Sequence, residues 1–432
     1  MADKGVLGLD IGTSRIKFVE ARIGRGWPVI VNAGVGLTPR DTIANGVIVD
    51  PDTLGASVRQ LLAEHGVRTR GVISSVASQS SLVVRPIEVP RMTREELANT
   101  MEWEVDRHIP FAASEVVMDF EPLIPPEELP EEAQNMEVLL AVAQEDMIER
   151  HVQTLYTAGL EPMALDVEPL SACRSLIDVN QDEGAYERTY ALLNIGANTT
   201  DLSIIRQGLL SFTRPIPLAG DNITNAIAEN LGYEFHEAER AKIDEGTVYI
   251  EGAPALEAPR APRPAPQESP KVIVRPPEEE GDESAEGSGR VFDLGAESGP
   301  SGAPPGAPPE EETPKTTLPA VHAAGTGIPG RQVYDAMLPM LVEMVTEIRR
   351  SVEYYANRFP ESRVDKILLF GGTARLPHFA EFLSNEVGTE VEVGDPFRRL
   401  EVDEGNVPVE TVRENACLMP IVVGLAIRDM IG

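Results

Sequence analysis

Apolar positions recur along this chain in two periods. Val6-Leu7-Gly8-Leu9-Asp10, Ile16 to Ala21 and Gly71-Val72-Ile73 read as short strands, whereas Asp52 to His65 spaces its apolar residues as a helix does. Strands alternating with helices predict an α/β architecture. Thr93-Arg94-Glu95-Glu96 has the spacing of a capping box, in which the hydroxyl and the carboxylate each satisfy the other's backbone amide. It opens a helix predicted to run to about His108 and to be stopped by Pro110. From Asp335 to Phe359, Leu338, Leu341, Val342, Val345, Ile348, Val352, Tyr355 and Phe359 fall three and four residues apart. That predicts one long amphipathic helix, with Pro339 tolerable only near its first turn.

Between about Glu251 and Gly330 the periodicity stops. Sixteen of the thirty-six prolines fall there, with the triplets Glu278-Glu279-Glu280 and Glu310-Glu311-Glu312, and 6 basic against 14 acidic residues leave the segment at −8. Such a composition cannot bury enough apolar surface to offset its ordering entropy, so a disordered acidic insertion within a folded domain is expected. The whole chain of 432 residues carries a net charge of −33, which repels nucleic acid and anionic lipid headgroups. No apolar run reaches the roughly 18 to 20 residues that cross a bilayer, since the longest candidate, Cys417 to Ile427, is short and contains Pro420. The N-terminus lacks the pattern of a secretory signal, and the expected location is the cytoplasm. Cys173 and Cys417 lack the spacing of a metal or redox pair and read as buried, reduced packing residues. At this length two large lobes around a cleft are expected.

The chemistry lies in an internal echo. Leu9-Asp10-Ile11-Gly12-Thr13-Ser14 returns about 184 residues later as Leu193-Asn194-Ile195-Gly196-Ala197-Asn198, each leaving one apolar strand and entering another. A strand, a glycine turn and a returning strand can aim backbone N–H groups and hydroxyls at a phosphate chain, and two such hairpins could clasp it. A third motif, Ile367 to Pro377, runs a buried strand into Gly371 and Gly372, which let the backbone approach a flat ligand, and then into a helix introduced by Pro377. Arg375 could lay its guanidinium over a purine, worth about 0.5–2 kcal/mol as a cation–π contact. Glu239 and Lys242, at i and i+3, could reach ribose hydroxyls or the base, or form a surface ion pair.

On these residues the chain resembles the superfamily of actin, the heat-shock chaperones and the sugar kinases. Asp10 to Ser14 and Asn194 to Thr200 look like its two phosphate motifs, Phe370 to Arg375 like its adenosine motif, and Glu168-Pro169-Leu170-Ser171-Ala172 and Val423-Gly424-Leu425-Ala426 like its two connecting helices. Met101-Glu102-Trp103-Glu104 followed by Ile109-Pro110-Phe111 resembles the extra subdomain of the PilM family of type IV pilus assembly, a branch close to the FtsA proteins. The resemblance implies an actin-like, ribonuclease H-like two-lobed α/β fold binding ATP and magnesium. Asp10 would hold the metal through its water shell, with Gly12, Thr13, Ser14 and Lys17 around the phosphates. Glu168 would help position attacking water, and Asp10 and Glu168 are the catalytic candidates. Gly196, Ala197 and Asn198 would close from the other lobe, with Gly220 and Asp221 starting a helix nearby, and Glu239, Lys242, Gly371, Gly372, Thr373 and Arg375 would hold the nucleoside. One departure matters: Asn194 stands where active ATPases of the superfamily carry Asp, and a neutral amide can be neither base nor charge for magnesium. Binding with slow or absent hydrolysis is therefore expected.

The resemblance further implies a scaffold at the inner membrane, held there by the N-terminal cytoplasmic tail of a PilN-like protein, among other pilus assembly proteins. The expected map places subdomain 1A at residues 1–82 and 151–189, the extra subdomain 1C at 83–150, and 2A at 190–220 and 364–408. Subdomain 2B takes 221–363 with the insertion at 251–330, and 409–432 is a C-terminal helix returning to 1A. Two other readings stay open. A small-molecule kinase would need a carboxylate base in the cleft and a polar sugar pocket, and no segment besides Asp10 and Glu168 offers one. An FtsA-like filament protein would end in a basic amphipathic helix, whereas this chain ends at Ile431-Gly432.

Overall fold

β1 (Val6–Ile11), β2 (Arg15–Gly24) and β3 (Trp27–Leu37) form an antiparallel meander, because each apolar stretch is followed by a turn short enough to fold back. The small hairpin β4 (Ile43–Ala44) and β5 (Val47–Ile48) leads to α1 (Pro51–Glu64), whose first turn is capped by the Asp50 carboxylate accepting from the Thr53 amide. β6 (Gly71–Val76) then pairs parallel with β1. The computed structural model describes residues 5–77, 80–177, 184–249, 330–405, 407 and 409–431. Apart from Gly330, the acidic insertion expected at 251–330 lies outside these residues.

β7 (Leu82–Pro90), α2 (Arg94–His108), β8 (Val116–Pro122) and β9 (Asn135–Gln144) make a separate three-stranded sheet, β7-β9-β8, with α2 on one face. The predicted capping box is present: the Thr93 amide donates to Glu96 Oε2 at 2.9 Å and the Glu96 amide to Thr93 Oγ1 at 3.3 Å. Leu97 and Met101 of this helix are buried against Ile87, Val138 and Leu140, while the side chains of Glu102, Trp103 and Glu104 lie outside the described residues. α3 (Glu145–Thr157) and β10 (Glu161–Val167) return to the first sheet, and α4 (Glu168–Leu176) leaves it.

The same meander then repeats as β11 (Thr189–Ile195), β12 (Thr200–Arg206) and β13 (Leu209–Ile216). α5 (Gly220–Leu231), α6 (Phe235–Asp244) and α7 (Arg331–Arg358) precede β14 (Lys366–Phe370), which pairs parallel with β11. α8 (Phe379–Val387), β15 (Glu390–Val393), β16 (Glu401–Val402), α9 (Val409–Glu414) and α10 (Pro420–Ala426) complete the described chain. The sheet orders are β10-β6-β1-β2-β3-β16 and β13-β12-β11-β14-β15.

Two details depart from the sequence expectation. α7 begins at Arg331, four residues before the expected Asp335, because Val333 and Tyr334 extend its buried stripe and Gly330 caps it at φ 85°. Pro339 consequently lies in the helix interior, where a missing N–H and a crowded carbonyl cost about 3 kcal/mol. Full burial of Met337, Leu341 and Met344, at about 1.5–3 kcal/mol each, outweighs that cost. Pro377 does not open α8: it sits in a turn, and the helix starts at Phe379 behind His378, whose φ is 62°.

α4 and α10 cross between the two large sheets, above a core of Ile73, Ala172, Leu192, Leu368, Ile421 and Leu425. Their approach requires a glycine, since a Cβ on Gly424 would lie 1.8 Å from the Ser171 carbonyl oxygen. This crossing joins the sheet that carries the hairpin β1–β2 to the sheet that carries the hairpin β11–β12.

Candidate functional site

Each hairpin closes in the same way. The Gly12 amide donates to Arg15 O at 3.0 Å, and the Gly196 amide to Thr199 O at 2.9 Å. The register is also shared, Asp10 facing Lys17 in the first and Asn194 facing Asp201 in the second. Both turns are held from outside through their carbonyls. Thr38 Oγ1 donates to Gly12 O at 2.7 Å and the Thr38 amide to Ser14 O at 3.1 Å. In the second turn the first amides of α5 do this work, Gly220 N–H donating to Gly196 O at 3.0 Å and Asp221 N–H to Ala197 O at 2.7 Å. Those two amides of α5 are therefore committed within the protein. The tips, Thr13 and Ser14 in one turn and Asn198 in the other, are exposed.

Side chains distinguish the hairpins. Asp10 is 2% exposed and is neutralised by Lys17, Nζ to Oδ2 2.5 Å. Ser75 Oγ lies 3.4 Å from its other oxygen. Behind it, Ser74 donates its one hydroxyl proton to Leu9 O at 2.8 Å, so it accepts from His151 Nε2 at 2.9 Å. Burial drives the His151 pKa down to about 4, so the ring is neutral and protonated at Nε2.

In the second hairpin Asp201 has no cation across the ladder. Burial raises its pKa to about 6, against a hydrogen bond from Thr199 Oγ1 at 3.2 Å that favours the carboxylate. Asn194 Nδ2 donates to Glu168 Oε2 at 3.1 Å, linking the start of α4 to this hairpin. Burial, followed by the negative charges of Asp10 and Asp201, pushes Glu168 up to about 8. Glu168 is thus a protonated acid near neutral pH.

The third motif packs onto the base of the second hairpin. Gly371 has φ 94°, and a Cβ there would lie 2.5 Å from Ile195 O and 2.7 Å from Asn194 Oδ1, so this glycine admits the hairpin rather than a flat ligand. Gly372 faces open space. Glu239 and Lys242 are not a plain surface pair. Lys242 Nζ reaches Glu239 at 2.6 Å, Gly220 O at 3.0 Å and Thr224 Oγ1 at 2.7 Å, which ties α6 to the first turn of α5.

One cavity of about 1710 Å³ collects these groups. Asp10, Gly12, Thr13, Ser14, Lys17, Glu168, Gly196, Ala197, Asn198, Gly220, Glu239, Lys242, Gly371, Gly372, Thr373 and Arg375 all line it. Asp201 lines it too, although it belongs to none of the sequence motifs. Counting register would have found it, because the residue seven positions after Asp10 or Asn194 faces it across a turn of this size.

A family model described as type IV pilus assembly protein PilM matches residues 8–248, and one described as cell division protein FtsA matches residues 191–416. FtsA of Bacillus subtilis is 24% identical over 268 residues, covering 57% of this chain and 59% of that protein. FtsA of Pseudomonas aeruginosa is 28% identical over 260 residues, covering 56% and 60%. The chain thus spans about three fifths of the length of these curated relatives. A chain of the solved structure described as the PilM-PilN type IV pilus biogenesis complex superposes with a TM-score of 0.73 at 25% identity, over 99% of both chains.

Proposed function

The chain belongs to the type IV pilus assembly protein PilM family, and from that premise we propose that it is an ATP-binding scaffold of a type IV pilus assembly machine, docking the N-terminal tail of a PilN-like inner-membrane protein. Its fold is the actin-like α/β fold. The observation that carries the nucleotide reading is the pair of hairpins with one register, both lining a single cavity with exposed turn tips. A triphosphate would lie between Gly12, Thr13 and Ser14 on one side and Gly196, Ala197 and Asn198 on the other. Glu239 and Lys242 would face the ribose, and Gly372, Thr373 and Arg375 the base. Asp10 would hold magnesium through water, and the metal would supply positive charge to the phosphates. Lys17 pairs with Asp10 at the same site.

Two positions, Asn194 and Glu168, argue for slow hydrolysis. Asn194 cannot take a proton, and Glu168 already holds one near neutral pH, so neither serves as a ready base for water. ATP then acts as a structural ligand that fixes the two sheets relative to each other. Among the described residues no helix is long and apolar enough to cross a membrane. In this reading the protein is cytoplasmic and the partner's tail holds it at the inner membrane. The likeness to the PilM-PilN complex supports that partner.

Calorimetric titration of the full chain with ATP and magnesium, then with a synthetic tail peptide, tests the proposal. One nucleotide per chain, with peptide binding tightened by ATP, is the expected result. Absence of heat with nucleotide overturns it. The FtsA match over residues 191–416 favours filament formation as a second reading, and sedimentation of ATP-dependent polymers would support that one instead.

A further inference from the structure

Charge sets a problem that the motifs do not solve. The cavity wall contains the carboxylate of Asp201, which faces Asn194 rather than a cation across its ladder, and a triphosphate brings several negative charges of its own. Most cations lining the cavity are already used. Lys17 is held by Asp10, Lys242 by Glu239, and Arg214 by Glu347 and Ser351. Arg85 also has an interaction of its own. Beside the first hairpin, Arg15 and Arg40 line the cavity without an ion pair or side-chain hydrogen bond among the described residues.

The backbone around Arg40 is built with care. Two residues before it, Thr38 is bonded to Gly12 O and Ser14 O. Two residues after it, Thr42 is 1% exposed, donates to Pro39 O at 2.7 Å and accepts the amides of Val49 and Asp50. Between them Asp41 adopts φ 61°, a left-handed conformation that a non-glycine residue holds only when its surroundings impose it. The loop therefore fixes the Cα of Arg40 against the turn of the first hairpin and leaves its guanidinium exposed.

We propose that Arg40, assisted by Arg15, binds the terminal phosphate of the nucleotide and makes this chain discriminate a nucleoside triphosphate from a diphosphate. The guanidinium fork matches two phosphate oxygens, and the charge of Asp201 on the opposite hairpin favours placing the extra phosphate on the Arg40 side. The inference rests on the nucleotide reading above.

The test is calorimetry on the full chain with magnesium and either ADP or a non-hydrolysable ATP analogue, for the parent, Arg40→Gln, Arg40→Lys and Arg15→Gln. Arg40→Gln is expected to lose about tenfold or more in affinity for the triphosphate and less than about twofold for ADP. Arg40→Lys falls between, and Arg15→Gln shows the same pattern at smaller size. Retained ADP binding certifies that each variant is folded. Triphosphate affinity within about twofold of the parent in Arg40→Gln, or equal loss of both ligands, overturns the assignment of Arg40. A parent that binds neither nucleotide overturns the nucleotide reading itself, a distinct result.

Discussion

The hairpins β1–β2 and β11–β12 share a backbone and differ in charge. Both have a glycine amide closing the turn, both face residue i with residue i+7, and both have their turn carbonyls fastened by a second segment. The first neutralises its buried carboxylate internally, Asp10 with Lys17. The second pairs a neutral amide, Asn194, with an unneutralised carboxylate, Asp201, and lends the amide to Glu168. A repeated fold element thus keeps one turn geometry while its flanking pair differs, a closed ion pair in the first hairpin and an amide facing an acid in the second.

The largest effect expected from breaking this contrast is on the first hairpin. Lys17→Met leaves Asp10 buried without its cation and should cost about 3–5 kcal/mol, read from urea unfolding. In the second hairpin the sign reverses. The Asp201 pKa is raised from 3.8 to about 6, so the native state keeps a proton that the unfolded chain releases, and stability falls as pH rises through that window. Asp201→Asn should therefore be more stable than the parent by about 2–3 kcal/mol at pH 7, with the gain vanishing below 3.8. Unfolding curves at both pH values check it.

Asn194→Asp sharpens the contrast from the other side. It loses the donor to Glu168 and sets two carboxylates opposite each other, a cost of about 1–3 kcal/mol at neutral pH. A raised rate of ATP hydrolysis, measured by phosphate release, should accompany the loss if the missing carboxylate limits chemistry. The smallest effect belongs to the fastening of the first turn. Thr38→Val frees Gly12 O and should cost about 0.5–1.5 kcal/mol in thermal unfolding.

Much of this was legible in the chain itself. The hairpins and the capping box at Thr93 followed from periodicity and turn chemistry, which are local, whereas the two connecting helices came from the family resemblance. What escaped reading depended on pairing between segments. Asp201 gains its meaning from register with Asn194, and the second hairpin gives Gly371 its reason to be glycine. Pro339 in the interior of α7 was misjudged because tertiary burial outweighed a local rule. The pairing of Lys242 with Thr224 and Gly220 likewise needed two helices to be brought together.

A crystal structure of the protein with a non-hydrolysable ATP analogue tests the central claim most directly. The account places one nucleotide per chain, its phosphates touching both the Gly12 to Ser14 turn and the Gly196 to Asn198 turn. Phosphates seated on one turn alone, or a nucleotide bound outside the shared cavity, would contradict it.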